Sequence, residues 1–546
     1  MGRVLKYLFL CLLLCGCAAR QQTFTGGAVA ADHYLASQAG VEILVQGGNA
    51  VDAAVATSFA LSVVRPFSCG IGGGGFMLID SPTMEPVALN YRETAPRKVD
   101  QSFFTTHSSR IGPTAVGVPG TVAGLLLAHE RYGKLSRQQV LAPAIRLARS
   151  AIELDSAFEN AVKSAMRFIE MLPSEQKARY TEAVQSITNQ VTNSDSGQEF
   201  SLQQISQHGI AGFYEGKIAQ LIVDATEGHL ALDDLKAYKP RWETPLQVAI
   251  GNGNTLVSMP PPSSGGVAIA QIFGLLSRVN AMRHGKSSEF SQVLIESMKH
   301  AFADRAEHLA DSAFVDVPVE ALLADEYLDT LASRIVQGET KETFTYGSVT
   351  PPPDDNGTSH LCVVDSDGMM VSATETINTS FGSLVYSPLL GFMLNNEMDD
   401  FSSPNGANAY GLRQSEKNAP EHGKRPLSSM SPTIVERDGV PVLAIGASGG
   451  PRIISSVIQV LLDILWFGDE PVEAVGRGRV HHQWLPDNVY VEEAYRDKEV
   501  ESYLLDVGYS IKVRANIGVV QAIQIDNGFL KPACDPRKRG KPAGLK

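Results

Sequence analysis

Asn356-Gly357 leads into the run Thr358-Ser359-His360-Leu361-Cys362-Val363-Val364. Inside a chain, a threonine hydroxyl is a poor nucleophile because no base sits beside it. Scission of the Gly357–Thr358 bond would change this by giving Thr358 a free α-amino group next to its own hydroxyl. Such an amine has a pKa of roughly 8, so part of it is neutral at pH 7 and accepts the hydroxyl proton. The same letters also read as a plain Asn-Gly turn before a strand. A second nucleophile pattern is Gly446-Ala447-Ser448-Gly449-Gly450, a G-x-S-x-G in strand–turn–helix context. A serine hydrolase built on it would use Ser448, an acid such as Asp463 or Asp469, and His481 or His482. Alternatively only its backbone matters, with the N–H groups of Gly449 and Gly450 at a helix start forming an oxyanion hole. The motif leaves both open.

Other groups suit one amino-acid head group. Arg92, in Asn90-Tyr91-Arg92-Glu93-Thr94-Ala95-Pro96, offers a planar fork for a carboxylate. Ser428-Ser429 offers two hydroxyl donors, and Glu397 and Asp400 offer negative charge for an ammonium. Gly70-Ile71-Gly72-Gly73-Gly74-Gly75 matches the dinucleotide fingerprint by letters, but its order is helix, glycines, strand. A phosphate site needs the reverse, so the run reads as a close-packed loop. His300, Asp304, His308 and Asp311 fall near helical spacing and mimic a metal set, as does His481-His482. They read as residues of a wet helix face, and neither metal nor cofactor is expected.

These groups need positioning elements. Residues 30 to 66 read as two helices: Asp32 caps the first and Gly47-Gly48 closes it, while Asn49 caps the second and Pro66 stops it. Val51, Val55 and Phe59 make a core-facing stripe. Phe76 to Asp80 reads as a strand, residues 115 to 240 as mostly helical, and Thr255 to Met259 as a strand before another helix. Residues 338 to 357 read as a linker. Thr358–Val364 and Met369–Ile377 form a hairpin through Asp365-Ser366-Asp367-Gly368, the first strand apolar on both faces and so lying between layers. Leu443 to Gly446 is a further strand and Pro451 to Trp466 a helix.

The 546 residues, 44% of them hydrophobic, can bury a large core. A formal charge of −13, from 59 acidic against 46 basic residues, argues against nucleic acid as a partner. Arg537-Lys538-Arg539 reads as a solvated tail. Arg3 and Lys6 precede an apolar stretch, Tyr7 to Leu14, too short to span a bilayer. Leu14-Cys15-Gly16-Cys17 looks like a bacterial lipobox, with lipidation at Cys17; an ordinary signal cut after Ala19 is the alternative. Either way the expectation is export to a bacterial periplasm, with the membrane touched only through the lipid. With Cys17 lipidated, Cys69, Cys362 and Cys534 form no disulfide framework, and Cys362 reads as a packed strand residue.

Taken together, the segments resemble the γ-glutamyltranspeptidase family of N-terminal nucleophile hydrolases. The matching motifs are Gly47–Ala54, Gly70–Gly75, Arg92–Pro96, Gly117–Gly120, Met259–Gly266, Gly357–His360, Asn395–Phe401, Arg425–Pro432, Gly449-Gly450 and Asp535–Arg537, in the family's order from about Gly26 to Leu545. The resemblance implies an α+β fold, a four-layer αββα sandwich forming one domain shared by two self-processed pieces. After a signal segment at 1–19, these are residues 20–357 and residues 358–546. It implies that Thr358 attacks the γ-amide carbonyl of glutathione and similar compounds, that Thr376 orients it, and that Gly449 and Gly450 hold the oxyanion. Arg92, Ser428 and Ser429 then bind the α-carboxylate, and Asn378, Glu397 and Asp400 the α-ammonium. The acyl group passes to water, an amino acid or a short peptide. The resemblance also implies that residues 405 to 423 form a lid, with Tyr410 a candidate gate. Glu397 departs from the Gln of many bacterial members but still suits an ammonium, and the lipobox is not general in the family. A same-fold cephalosporin or glutaryl acylase is the rival within this resemblance.

Overall fold

Gly357–Asp365 is a nine-residue strand buried along its whole length. The Asp365 carboxylate accepts the N–H groups of Asp367 and Met369 at 2.9 and 3.0 Å. Gly368 supplies a φ of 81°. The chain therefore doubles back into Met370–Asn378, which pairs antiparallel with it. This hairpin lies inside a seven-stranded sheet ordered 543–545, 27–31, 357–365, 370–378, 74–81, 84–90, 241–243. A six-stranded sheet, ordered 529–534, 519–526, 440–448, 433–437, 254–258, 246–251, packs against it. A small three-stranded sheet lies apart from both. The computed structural model describes residues 20–193, 197–347, 357–402 and 415–546. The signal segment with Cys17, Asn356 and Tyr410 lie outside the described residues.

Period-two alternation separates the layers. Val29, Ala31, Leu361, Val363, Val371 and Ala373 face helices Tyr34–Val45 and Ala50–Val64. Ala28, Ala30, Cys362, Val364 and Met370 face the six-stranded sheet, whose far side carries Gly265–Arg278, Ser288–His308 and Arg452–Leu465. Helices, sheet, sheet, helices: this is the expected αββα sandwich. Among the described residues no helix is long and apolar enough to cross a membrane.

Strands from before and after residue 357 interleave in both sheets. Gly27–Ala31 sits between Ala543–Leu545 and Gly357–Asp365, and Asn254–Ser258 pairs with Thr433–Arg437. Local expectations mostly hold. Asn49 caps its helix, accepting the N–H groups of Val51 and Asp52 at 3.1 and 3.0 Å, and the strands and the Arg452–Leu465 helix lie where the pattern puts them. That helix at 50–64 is buried on every side, not along one stripe. Asp32 does not cap the first helix; His33 does, accepting the Leu35 N–H at 3.2 Å. Asp32 is one residue too early and turns inward to Lys538.

Candidate active site

Thr358 opens the strand on the face that looks toward the second sheet, the face that also carries His360 and Cys362. A bulge between Gly357 and Thr358 offsets the pairing with Met370–Asn378. It places Thr376 Oγ1 so that it donates to the Gly357 carbonyl at 2.7 Å and lies 3.3 Å from Thr358 Oγ1. Asn378, with a left-handed φ of 74°, donates its N–H to Thr376 Oγ1 at 2.8 Å. The adjoining strand comes very close because glycine permits it: a Cβ on Gly73 would stand 2.0 Å from the Thr376 carbonyl oxygen. The glycine run thus packs closely against Thr376.

Thr358 and Thr376 share one cleft with Arg92, Asn378, Glu397, Asp400, Ser428, Ser429 and Gly450. Gly449 lines the neighbouring cavity with Ser448 and Lys538, so the two glycines stand between the two spaces. Both have positive φ, 132° and 58°, which only glycine adopts at little cost, just before the Arg452–Leu465 helix begins. Arg92 is buried and ion-paired, with Nη1 2.6 Å from Glu397 and Nη2 2.5 Å from Asp400. Its remaining donors reach the carbonyls of Pro426 and Leu427, each at 3.3 Å. Burial opposes its charge, but Glu397, Asp400 and Glu93 outweigh burial and hold its pKa above the ordinary value. Burial pushes Asp400 up to about 6 against the pull of Arg92, and Glu93 up to about 8. The cleft is narrow, with a free volume of about 20 Å³.

Two residues of this region escaped the sequence reading. Lys538 is no solvated tail: it is buried and donates to Asp32 Oδ2 at 2.8 Å, to Ser448 Oγ at 3.2 Å and to the Thr358 carbonyl. Its neighbour Arg537 is likewise engaged, with Glu492 and Asp535. Arg305, on the Ser288–His308 helix, lines the cleft and reaches Ser429. The only sequence signal for Arg305 was an arginine between the apolar runs Ala301–Ala303 and Ala306.

The serine triad does not assemble. Ser448 Oγ meets Lys538, while His481 pairs with Ser455 at 2.6 Å and His482 lies 3.2 Å from Asp487. Asp463 and Asp469 are taken by Lys286 and Arg477. Burial holds His481 down at about 3, so it is a neutral core residue. The metal-like spacing on the long helix also disperses. His300, Asp304 and Asp311 are buried rather than on a wet face. Asp304 accepts from Gln271 and Tyr327, and Asp311 from the Arg425 N–H. Among the described residues no three His, Cys, Asp or Glu side chains gather as a metal set. Cys69, Cys362 and Cys534 are free thiols, and Cys362 is packed in its strand.

The family model described as gamma-glutamyltranspeptidase matches residues 36–545. The chain is 38% identical to the glutathione hydrolase proenzyme of Escherichia coli (strain K12), covering 94% of this chain and 90% of that one. It is also 38% identical to the glutathione hydrolase proenzyme of Pseudomonas aeruginosa, covering 95% and 94%. Among solved structures it resembles cephalosporin acylase from Bacillus halodurans, with a TM-score of 0.84, 25% identity and 98% of each chain covered.

Proposed function

The chain belongs to the γ-glutamyltranspeptidase family, and from that premise we propose which of its residues carry the reaction. The protein is a γ-glutamyltransferase and glutathione hydrolase. Maturation begins when the Thr358 hydroxyl attacks the Gly357 carbonyl carbon, with Thr376 donating to the carbonyl oxygen. The Gly357–Thr358 C–N bond breaks as the nitrogen takes up a proton. Water then hydrolyses the resulting ester, leaving a carboxylate on Gly357 and a free amine on Thr358. Two pieces result, one ending at Gly357 and the other running from Thr358 to Lys546, held together by their interleaved strands.

In the mature enzyme the Thr358 amine takes the proton of its own hydroxyl, and the oxygen attacks the γ-carbonyl of the donor. The N–H groups of Gly449 and Gly450 receive the oxyanion. The amine then passes its proton to the departing nitrogen, the C–N bond breaks, and the γ-glutamyl group remains as an ester on Thr358. Water or the amine of an amino acid or short peptide takes the acyl group by the reverse proton path. Arg92, Ser428 and Ser429 bind the α-carboxylate, and Asn378, Glu397 and Asp400 the α-ammonium. One observation carries this reading: a threonine at a strand start opens into the same cleft as paired cations, carboxylates and hydroxyls. A ligand lacking either end of the amino-acid head group leaves buried polar groups unpaired, which is how such a site discriminates.

The test is direct. Denaturing electrophoresis resolves two pieces, the smaller with the N-terminal sequence Thr-Ser-His-Leu, and the protein releases p-nitroaniline from L-γ-glutamyl-p-nitroanilide. A fully active, unbroken chain would falsify the scheme. Likeness to a cephalosporin acylase favours a second reading, with a glutaryl donor. A glutaryl group has no ammonium to meet Glu397 and Asp400, so glutaryl-p-nitroanilide is the poorer substrate. Leu14–Cys17 supports export with a lipid on Cys17; metabolic labelling with palmitate reads that out, and Cys17→Ala removes the label.

A further inference from the structure

Residues 338 to 347 have the composition of a linker, yet polar side chains hold them from two directions. Phe344, the one large, wholly apolar side chain in this stretch, is 76% exposed, so a packed apolar face does not fix it. On one side stands the Ser288–His308 helix. Its Gln292 donates to the carbonyls of Val336 and Glu339 at 3.0 and 2.9 Å and accepts the Gly338 N–H at 3.2 Å. One turn on, Glu296 accepts from Thr340 Oγ1 at 2.9 Å and from the Tyr346 hydroxyl. Lys299 is fully buried, donates to Thr340 Oγ1 at 2.8 Å, and lies 4.2 Å from the centre of the Tyr346 ring.

The other side comes from beyond residue 357. Tyr509 donates to Glu296, Trp484 Nε1 donates to the Thr343 carbonyl at 2.8 Å, and Thr343 Oγ1 donates to Asp487 Oδ2 at 2.7 Å. Gly347 lies against the Trp484 ring, where a Cβ would stand 3.0 Å away. Glu296 and Lys299 answer each other at 3.5 Å. A buried ion pair adds little net stability, but its directional bonds fix geometry. Burial and the Glu296 charge push the Tyr346 phenol above its ordinary pKa, so it stays a donor at neutral pH. Nine residues, 348 to 356, then lead to Gly357, whose carbonyl is held by Thr376. The stretch that enters the scissile bond is therefore fixed at both ends.

We propose that Glu296, Lys299 and Tyr346 form an anchor for maturation, holding the arm that enters the Gly357–Thr358 bond so that the Gly357 carbonyl keeps the orientation in which Thr358 Oγ1 attacks it. They are positioning residues, since none touches the reacting atoms. The inference rests on the self-cleavage step proposed above and extends it to side chains outside the cleft. The anchor's task ends with the cut, so turnover by the mature enzyme does not depend on it.

The experiment makes the full-length precursor by cell-free synthesis and follows its two fragments with time by denaturing electrophoresis. Tyr346→Ala should slow their appearance roughly 10-fold, and Tyr346→Phe, which keeps the ring over Lys299, by less. Once cut, either variant should turn over L-γ-glutamyl-p-nitroanilide with kcat and KM within about twofold of the parent. Tyr509→Phe removes an equivalent hydroxyl from Glu296 without touching the arm, so its fragments should appear within about twofold of the parental rate. Equal slowing in Tyr509→Phe and Tyr346→Phe, or parallel losses in cleavage and kcat, means general packing and overturns the proposal. Unchanged cleavage in Tyr346→Ala overturns it too. If Tyr346→Ala does not fold, a nine-residue Gly-Ser insertion between Gly347 and Ser348 leaves every anchoring side chain in place and doubles the span to Gly357. It should slow cleavage roughly threefold or more, and an unchanged rate overturns the proposal. An unaltered precursor that never cuts itself would instead count against the maturation step.

Discussion

Thr358 and Ser448 sit at the ends of strands in opposite sheets, and Lys538 touches both, donating to the Thr358 carbonyl and to Ser448 Oγ. Ser448 carries the more familiar hydrolase motif, in the correct strand–turn–helix setting. Yet its oxygen meets Lys538, which is already engaged by Asp32 and the Thr358 carbonyl, while His481 and His482 are turned to Ser455 and Asp487. Thr358 carries a weaker motif but faces Thr376 and a cleft of paired charges. A nucleophile is defined by where its proton can go, and a string of letters does not record that. In the proposed scheme Thr358 gains its base through a covalent change, and Ser448 does not.

That contrast can be broken most directly at Thr358. Thr358→Ala should remain one chain and lose activity by roughly 10^4-fold or more, read by electrophoresis and p-nitroaniline release. Next in size is Lys538→Met, which strips the bridge and leaves the Asp32 carboxylate buried without its cation. It should cost about 3–5 kcal/mol in urea unfolding of a processing-blocked Thr358→Ala background. Thr376→Val keeps the shape but removes the donor to the Gly357 carbonyl, and should slow self-cleavage by roughly 100-fold, followed as fragment appearance over time.

The pH profile sharpens the contrast further. Asp400, raised to about 6 mainly by burial, is neutral below that pH and cannot pair with an ammonium. Glutamyl kcat/KM should therefore climb as pH rises through about 6, and Asp400→Asn should lower the plateau and erase that limb. The smallest effect belongs to Ser448→Ala, which removes an acceptor of Lys538 but no reacting atom. Its activity should stay within about threefold of the parent. A large loss there, with Thr358→Ala still active, would reverse the assignment.

Much of this arrangement was legible in the chain because it is local. Asn49 with Asp52 writes a capping box, Asp-Gly writes the hairpin, and alternation writes the buried strand. What stayed hidden depends on partners far away in sequence. Lys538 is buried because Asp32, 506 residues earlier, lies beneath it, so a basic triplet resembled a tail. Arg305 looked like one more helical charge because Ser264 and Ser429 come from other elements. Asp32 looked like a cap since it precedes the helix, but His33 holds the extended backbone a cap requires. The letters of Ser448 left two readings open for the same reason: a triad is three places in space.

Interleaving of strands from either side of residue 357 has a thermodynamic consequence. Before scission, unfolding concerns one connected chain, and its midpoint does not depend on concentration. After scission the same sheets belong to two molecules, so melting becomes a dissociation, and dilution lowers the midpoint. Return from the melted state then requires a bimolecular encounter in place of closure of a tethered loop. In the proposed scheme the cut that arms Thr358 thereby also turns maturation into a one-way ratchet.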